Sequence, residues 1–311
     1  MSIFDAIIQG VVQGLTEFLP VSSSGHLAIT QHIMGVTEGN LFFNVMLHIG
    51  TLVAVVAFYY KLIWRLIKEF FAIIKDVITG KFTFKNMNHD RNMIFMLIIG
   101  LLPLFLLFMP IPGTGMNVKD FADVISGGEE YFIIVGISLF MTSILLTLGN
   151  VFNNRLIKKA KENGTLTEKG AGKQSLTVVD ALVVGLTQCC AAIFPGLSRS
   201  GSTLAAGQMR GVNRQTALDF TFIMAIPSIL AAAVLELSDA LSSPEGIGIS
   251  VGVIIAGMIA SAIVGYLSIV LFKWLLKTNK MYIFIAYTAI VALAVIVVSI
   301  IEMNVGHNIF V

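Results

Sequence analysis

The sequence predicts an all-α polytopic membrane protein, with six transmembrane helices plus two re-entrant helix–turn–helix hairpins in inverted-topology repeats. Three observations lead there. Of the 311 residues, 56% are hydrophobic and 12% charged, about half the charge of an ordinary soluble domain. Six apolar runs approach the ~20 residues that cross a bilayer as a helix. Two further apolar segments are broken by proline, serine and glycine. A membrane β-barrel would alternate over segments of ~10 residues, and these runs are continuous.

The first broken element, 3–34, contains LPVSSSGHLA at 19–28. Pro20 disfavours helix at the residue before it, and Gly25 loosens the backbone after it. Two half-helices around a turn are predicted. Crossings come next at about 41–60, 92–110 and 131–150. The second broken element, 177–208, contains FPGLSRSGST at 194–203 and repeats the design around Pro195. Crossings at about 216–238, 249–272 and 281–301 complete the chain. Between the first two crossings, 59–78 sets Arg65, Lys68 and Lys75 among aromatics, the pattern of an amphipathic helix on the cytoplasmic surface. The KKAKENG run at 158–164 reads as a solvated loop. No Lys or Arg precedes Lys61, so the basic region of a cleaved signal peptide is missing. Cys189 and Cys190 are adjacent and read as two small apolar side chains rather than a bridge.

Charge sets the orientation. All the Lys and Arg residues except Lys119 and Arg199 fall at 61–91, 151–176, Arg210–Arg214 or 273–280. The acidic connections are 111–130, with Asp120, Asp123, Glu129 and Glu130, and 239–248, with Asp239 and Glu245. Basic connections face the cytoplasm, and the six crossings then alternate, with the C-terminus outside. The segment 177–208 has cytoplasmic charge on both sides, so it enters and leaves from the inside. If 3–34 enters and returns from the outside, the N-terminus is outside and each face contributes one hairpin. If 3–34 spans instead, the N-terminus is inside.

The halves resemble each other. DAIIQGVVQGLTEFLPVSS (5–23) aligns with DALVVGLTQCCAAIFPGLS (180–198), pairing Asp5 with Asp180, Gly10 with Gly185, Gln13 with Gln188, Pro20 with Pro195 and Ser23 with Ser198. After one inserted residue, Gly25 pairs with Gly201 and Gly35 with Gly211. The chain is therefore read as one membrane domain over 1–311. Repeat one covers about 1–150, repeat two about 177–301, and a cytoplasmic basic connection lies at 151–176. Broken helices in inverted repeats meet near the bilayer midplane, where irregular backbone persists only inside protein or along a wet cavity.

The two turns carry the chemistry. Gln13 and Glu17 share a helix face that leads to Ser22, Ser23 and Ser24, with His26 just beyond. Serines cap helices well, and a helix N-terminus favours anions. The second turn offers Ser198, Ser200 and Thr203 together with Arg199, whose guanidinium suits two phosphate oxygens. A charge at the bilayer centre costs at least ~2.5–3.5 kcal/mol, so function is the default for Glu17 and Arg199. Asp5 and Asp180 read as helix-cap groups, and His48 as support. No zinc spacing, P-loop or dinucleotide fingerprint occurs. The basic residues obey the membrane rule and give no argument for nucleic acid.

At QGLTEFLPVSSSGHL (13–27) and PGLSRSGST (195–203) the chain resembles the undecaprenyl-diphosphate phosphatase, or bacitracin-resistance, family. The resemblance implies a multi-pass enzyme of the bacterial cell membrane. It would remove the terminal phosphate of a C55 polyprenyl diphosphate, recycle the carrier lipid for cell-wall synthesis and confer bacitracin resistance. It implies a polyprenyl diphosphate substrate, a homodimer, Mg²⁺ or Ca²⁺ as cofactor, and a site opening to the outer side. Gln13 and Glu17 then map to metal binding. Glu17, Ser23, His26 and Arg199 map to catalysis, and Ser22, Ser23, Ser24, Ser198, Arg199, Ser200 and Thr203 to diphosphate binding. Gln13 is the uncharged form of the family's first position. Ser23 activated by His26 is the preferred nucleophile, with His26 itself or water as rivals. Without the resemblance, a secondary transporter or lipid flippase is the alternative reading.

Overall fold

The computed structural model describes residues 1–35, 41–84, 87–127, 131–167, 170–242, 249–278 and 280–310. Lys85, Glu129, Glu130, Lys169, Glu245 and the Asp239 side chain, used in the charge reading, lie outside the described residues. The described residues form α-helices throughout, with three isolated bridges and no strand.

Each broken element is a helix–turn–helix. Helix α1 (Ile3–Phe18) opens with a reciprocal cap: Asp5 N–H donates to Ser2 Oγ (3.1 Å), and Ser2 N–H to Asp5 Oδ2 (2.7 Å). Helix α7 (Val178–Ile193) opens identically through Thr177 and Asp180, at 3.3 and 3.0 Å. This box satisfies two orphan donors at once, and it explains the Asp5–Asp180 match. Both helices stop ahead of their prolines, where Leu19 and Phe194 turn extended. Helix α2 (Ser23–Ile33) starts at the Ser22 cap, whose Oγ accepts from Gly25 N–H (3.2 Å). Helix α8 (Arg199–Met209) starts at the Ser198 cap, whose Oγ accepts from Gly201 N–H (3.1 Å).

These caps correct the sequence alignment. The inserted residue lies before the second cap, not after it, so Ser22 corresponds to Ser198, Ser23 to Arg199 and Ser24 to Ser200. Carrying the ungapped match through the turn pairs Ser23 with Ser198 instead.

Among the described residues, six helices are long and apolar enough to cross a membrane. They are α3 (Leu41–Ile78), α4 (His89–Leu101) with the 3₁₀ helix Leu102–Phe108, α6 (Tyr131–Glu162), α9 (Arg214–Ser242), α10 (Val251–Lys277) and α11 (Tyr282–Val305). A short helix, α5 (Val118–Gly127), fills part of the acidic connection. Pro103 tightens the end of the α4 crossing into 3₁₀ geometry, because it cannot donate an α-helical hydrogen bond. The predicted surface helix at 59–78 is not separate: α3 runs on through a kink at Tyr59 (φ −98°, ψ 15°). The KKAKE part of the expected loop at 158–164 is likewise helical, the end of α6.

Part of the packing repeats when the halves are exchanged. Helix α1 packs on α10 and α7 on α4; α3 packs on α10 and α9 on α4; α3 meets α9, and α6 meets α11. Matched glycines make the closest approaches. A Cβ on Gly10 would strike the Gly257 carbonyl, and one on Gly185 the Gly100 carbonyl. Large apolar side chains such as Ile263, Leu267, Ile290 and Leu293 are exposed on α10 and α11, the surface a lipid environment accepts.

Candidate active site

The two proline turns touch. A Cβ on Gly25 would lie 3.3 Å from Gly196 Cα, and one on Gly201 3.2 Å from Pro20 Cβ. Ser200 Oγ donates to the Leu19 carbonyl (3.2 Å), and Gly196 N–H to Ser24 Oγ (3.4 Å). Ser22 takes φ 75°, the one described non-glycine residue with positive φ. A side chain adopts that region at a cost of order 1–3 kcal/mol. Glycine serves in the other turn, at Gly196 with φ 88°.

Glu17 is the hub. It is buried, and its Oε1 is ion-paired with Arg199 Nη2. Its Oε2 accepts from Ser23 Oγ (2.5 Å) and from Gln13 Nε2 (2.9 Å), and lies 3.6 Å from His48 Nε2. A carboxylate from one half and a guanidinium from the other thus close a link between repeats. Such a pair persists in low dielectric only when it is well hydrogen-bonded.

Glu17, Ser22, Ser23, Ser24, Ser198, Arg199 and Ser200 all line one cavity of about 390 Å³. The helix starts at Ser23 and Arg199 bring N–H groups without intrahelical partners to the same space,. The rest of the wall is largely apolar, including Leu104, Leu107, Phe108, Ile229 and Leu235. Lys119 and Asp123 of α5 also line it, on the side of the acidic connection. One polar cradle opening onto an apolar wall fits an anion joined to a greasy chain.

The family described as "Bacitracin resistance protein BacA" matches residues 6–294. The chain belongs to this family. A protein of Alkaliphilus metalliredigens named undecaprenyl-diphosphatase is 38% identical over 304 residues, covering 96% of this chain and 99% of its own length. One of the same name from Methanosphaera stadtmanae is 35% identical over 97% of this chain and 99% of its own length. Another, from Bacteroides thetaiotaomicron, is 33% identical over 96% and 99%.

Two residues expected in this BacA-family site stand elsewhere. The sequence reading makes His26 the base for Ser23, but among the described residues no hydrogen bond joins them, and both imidazole nitrogens have other partners. The His26 Nδ1 lies 2.8 Å from the Ser22 carbonyl, and its Nε2 lies 2.8 Å from the phenol oxygen of Tyr287 on α11, with the rings stacked. A helix side chain leans toward the preceding turn, and that lean takes the imidazole to the i−4 carbonyl. His26 is a brace between the turn and α11. Thr203, expected at the diphosphate, is buried, and its hydroxyl donates back to the Arg199 carbonyl (2.7 Å).

Sequence reasoning missed Tyr287, Gln188, Lys119 and Asp123, and it understated His48, which lines the cavity. The signal for α5 was present: Asn117 and Asp120 cap it reciprocally at 2.9 Å each way, the same spacing that opens α1 and α7.

The donor set can be weighed against a divalent cation. Among the described residues, no cluster of three His, Cys, Asp or Glu could hold a metal by itself. Gln13 is fully buried, and its Oε1 has no hydrogen-bond partner. That orphan oxygen, on the amide whose nitrogen meets the Glu17 carboxylate, suits a hard cation, which takes few protein oxygens and completes its coordination with phosphate and water. The residues fit such an ion when the substrate supplies further oxygens.

Proposed function

We propose that this chain hydrolyses undecaprenyl diphosphate to undecaprenyl phosphate and inorganic phosphate. This would recycle the carrier lipid for cell-wall synthesis and confer bacitracin resistance. The observation that carries the reading is the Ser23–Glu17–Arg199 chain, built from both halves and lining one cavity with an apolar wall.

Phosphoryl transfer needs in-line attack and charge neutralisation. Arg199 and the N-termini of α2 and α8 receive the diphosphate oxygens. Among the described residues, Glu17 is the one hydrogen-bond partner of the guanidinium, which leaves its remaining N–H groups for phosphate. Glu17, rather than His26, is the base, because its Oε2 already accepts the Ser23 hydroxyl at 2.5 Å. Ser23 Oγ attacks the terminal phosphorus while its proton passes to Glu17. The bond from that phosphorus to the bridging oxygen breaks, and undecaprenyl phosphate leaves with the electron pair. Water then attacks the phosphoserine. The phosphorus–Oγ bond breaks, Glu17 returns the proton to Ser23, and dihydrogen phosphate departs with both protons of the water. Gln13 and Glu17 would hold Mg²⁺ or Ca²⁺, which supplies charge neutralisation at the phosphate oxygens. The isoprenoid chain lies along Leu104, Leu107, Phe108 and Leu235. By the positive-inside rule the termini and the cavity mouth face outside, and each hairpin re-enters from its own side.

Phosphate release by purified protein in detergent tests the reading. Glu17→Ala, Arg199→Ala and Ser23→Ala should each lower kcat by roughly two orders of magnitude or more; Ser23→Ala should keep its melting curve, while the other two melt lower because each leaves one charge of the ion pair without its partner,. A chelator should abolish release and Mg²⁺ or Ca²⁺ restore it. Folded Arg199→Ala protein with normal turnover would remove the guanidinium from the chemistry. A wild type that releases no phosphate would return the chain to the transporter reading.

A further inference from the structure

The chamber holds an imidazole that the hydrolysis above leaves unused. His48, on α3, lines the cavity with Nε2 3.6 Å from Glu17 Oε2. Its Nδ1 lies 2.8 Å from the Asn44 carbonyl. A carbonyl only accepts, so Nδ1 bears hydrogen, and in the neutral ring the lone pair sits on Nε2. At 3.6 Å that nitrogen is beyond hydrogen-bonding range of the carboxylate,. Two donors bound to one cation at about 2.1 Å, with an angle near tetrahedral or wider, stand about 3.4–3.6 Å apart.

A third group converges on the same oxygen. Gln13 Nε2 lies 2.9 Å from Glu17 Oε2 while its own Oε1 is buried without a partner. A flip of the amide exchanges the two atoms, satisfies the orphan oxygen at a cation and places it beside Glu17. The Asn44 carbonyl meanwhile fixes the imidazole as an outer hydrogen bond fixes a metal-binding histidine.

We propose that His48 is a metal ligand, and that Glu17 Oε2, Gln13 Oε1 and His48 Nε2 together form the protein's half of a divalent-cation site at the cavity wall, which Glu17 and His48 line and behind which Gln13 is buried. This rests on the metal reading above and refines it. An imidazole among the ligands shifts preference from Mg²⁺ and Ca²⁺ toward Mn²⁺ or another first-row divalent ion. Arg199 stays on Glu17 Oε1, so one carboxylate joins the cation to the guanidinium.

The test is pulsed electron paramagnetic resonance of untagged, purified protein titrated with Mn²⁺ alone. Wild type and His26→Gln should show nitrogen modulation from a directly bound imidazole. His48→Gln should lose it, and its Mn²⁺ affinity should fall at least tenfold, roughly the effect of losing one well-held ligand contact. Bound Mn²⁺ without nitrogen modulation in the wild type overturns the assignment whether or not the variant folds, and leaves the Gln13–Glu17 site standing. Modulation that survives in folded His48→Gln does the same. Absence of any Mn²⁺ binding overturns this inference and the metal reading together.

Discussion

At the scale of single residues, the turn geometry decides which polar groups meet. Ser23 and Glu17 are six residues apart, yet the break at Pro20 folds them to 2.5 Å. The same turn sends His26 away from them, onto the Ser22 carbonyl and the Tyr287 hydroxyl. In the proposed mechanism His26 would therefore act by holding the backbone that presents Ser23. His26→Ala should lower kcat roughly tenfold, the worth of about one buried hydrogen bond of ~1.4 kcal/mol, while the shape of the kcat–pH profile stays as in the wild type. A lost or displaced limb of that profile would make the imidazole a proton carrier after all. The serines, Glu17 and Arg199 were legible because buried charge and clustered hydroxyls are rare in apolar segments. The direction of the imidazole was not, because spacing along a helix gives a face and not a rotamer. His48 lies on a different helix, and only packing brings it to Glu17.

At the scale of elements, caps and breakers account for most of the legible structure. Prolines end α1 and α7 where expected, and three reciprocal caps start α1, α5 and α7. Helices α3 and α6 run longer than their apolar stretches, because charge alone does not end a helix. No glycine or proline occurs between Gly50 and Gly80, so nothing local stops α3 at the membrane surface.

Asp180 shows how firmly one such start is held. It accepts from Lys173 Nζ at 2.5 Å and Arg210 Nε at 3.0 Å besides its cap bonds. Burial works to raise its pKa, but hydrogen bonds from Lys173, Thr177 and Arg210 hold it down to about 2. The folded value lies below the unfolded one, so this contribution to stability is full above pH ~4 and is lost as pH falls through about 2,. Asp180→Ala should lower stability at neutral pH by at least ~1 kcal/mol from the cap alone. Its deficit in melting temperature should narrow on acidification toward pH ~2. A deficit independent of pH over that range would mean the carboxylate charge contributes nothing.

At the scale of the whole molecule, the cavity between the turns is a consequence of how the halves interlock. Each first half-helix lies against a crossing of the other repeat, α1 on α10 and α7 on α4, and each contact closes on a pair of glycines. Gly10→Ala and Gly185→Ala should each cost about 1–3 kcal/mol through overpacking, read as lower melting temperatures in detergent. Because α1 carries Glu17 and α7 leads into Arg199, both variants should also weaken turnover. A variant with wild-type melting would show that the helices can part without penalty. The repeat itself was visible in the sequence through Asp5, Gly10, Pro20 and their partners. Its true register at the turns was not, since an ungapped match runs on past the point where the inserted residue falls and only the backbone caps mark that point.

That register gives Ser23 and Arg199 the same address in two copies of one design. A perfectly twofold molecule would present either two hydroxyls or two guanidiniums there, and neither duplicate set could attack an anionic phosphorus and also steady it. Divergence here, and at Glu17, whose counterpart is Ala192, is what the proposed chemistry asks for. The cap residues, the prolines and the glycine pairs Gly10–Gly185 and Gly25–Gly201 answer to backbone geometry, and so they remain alike.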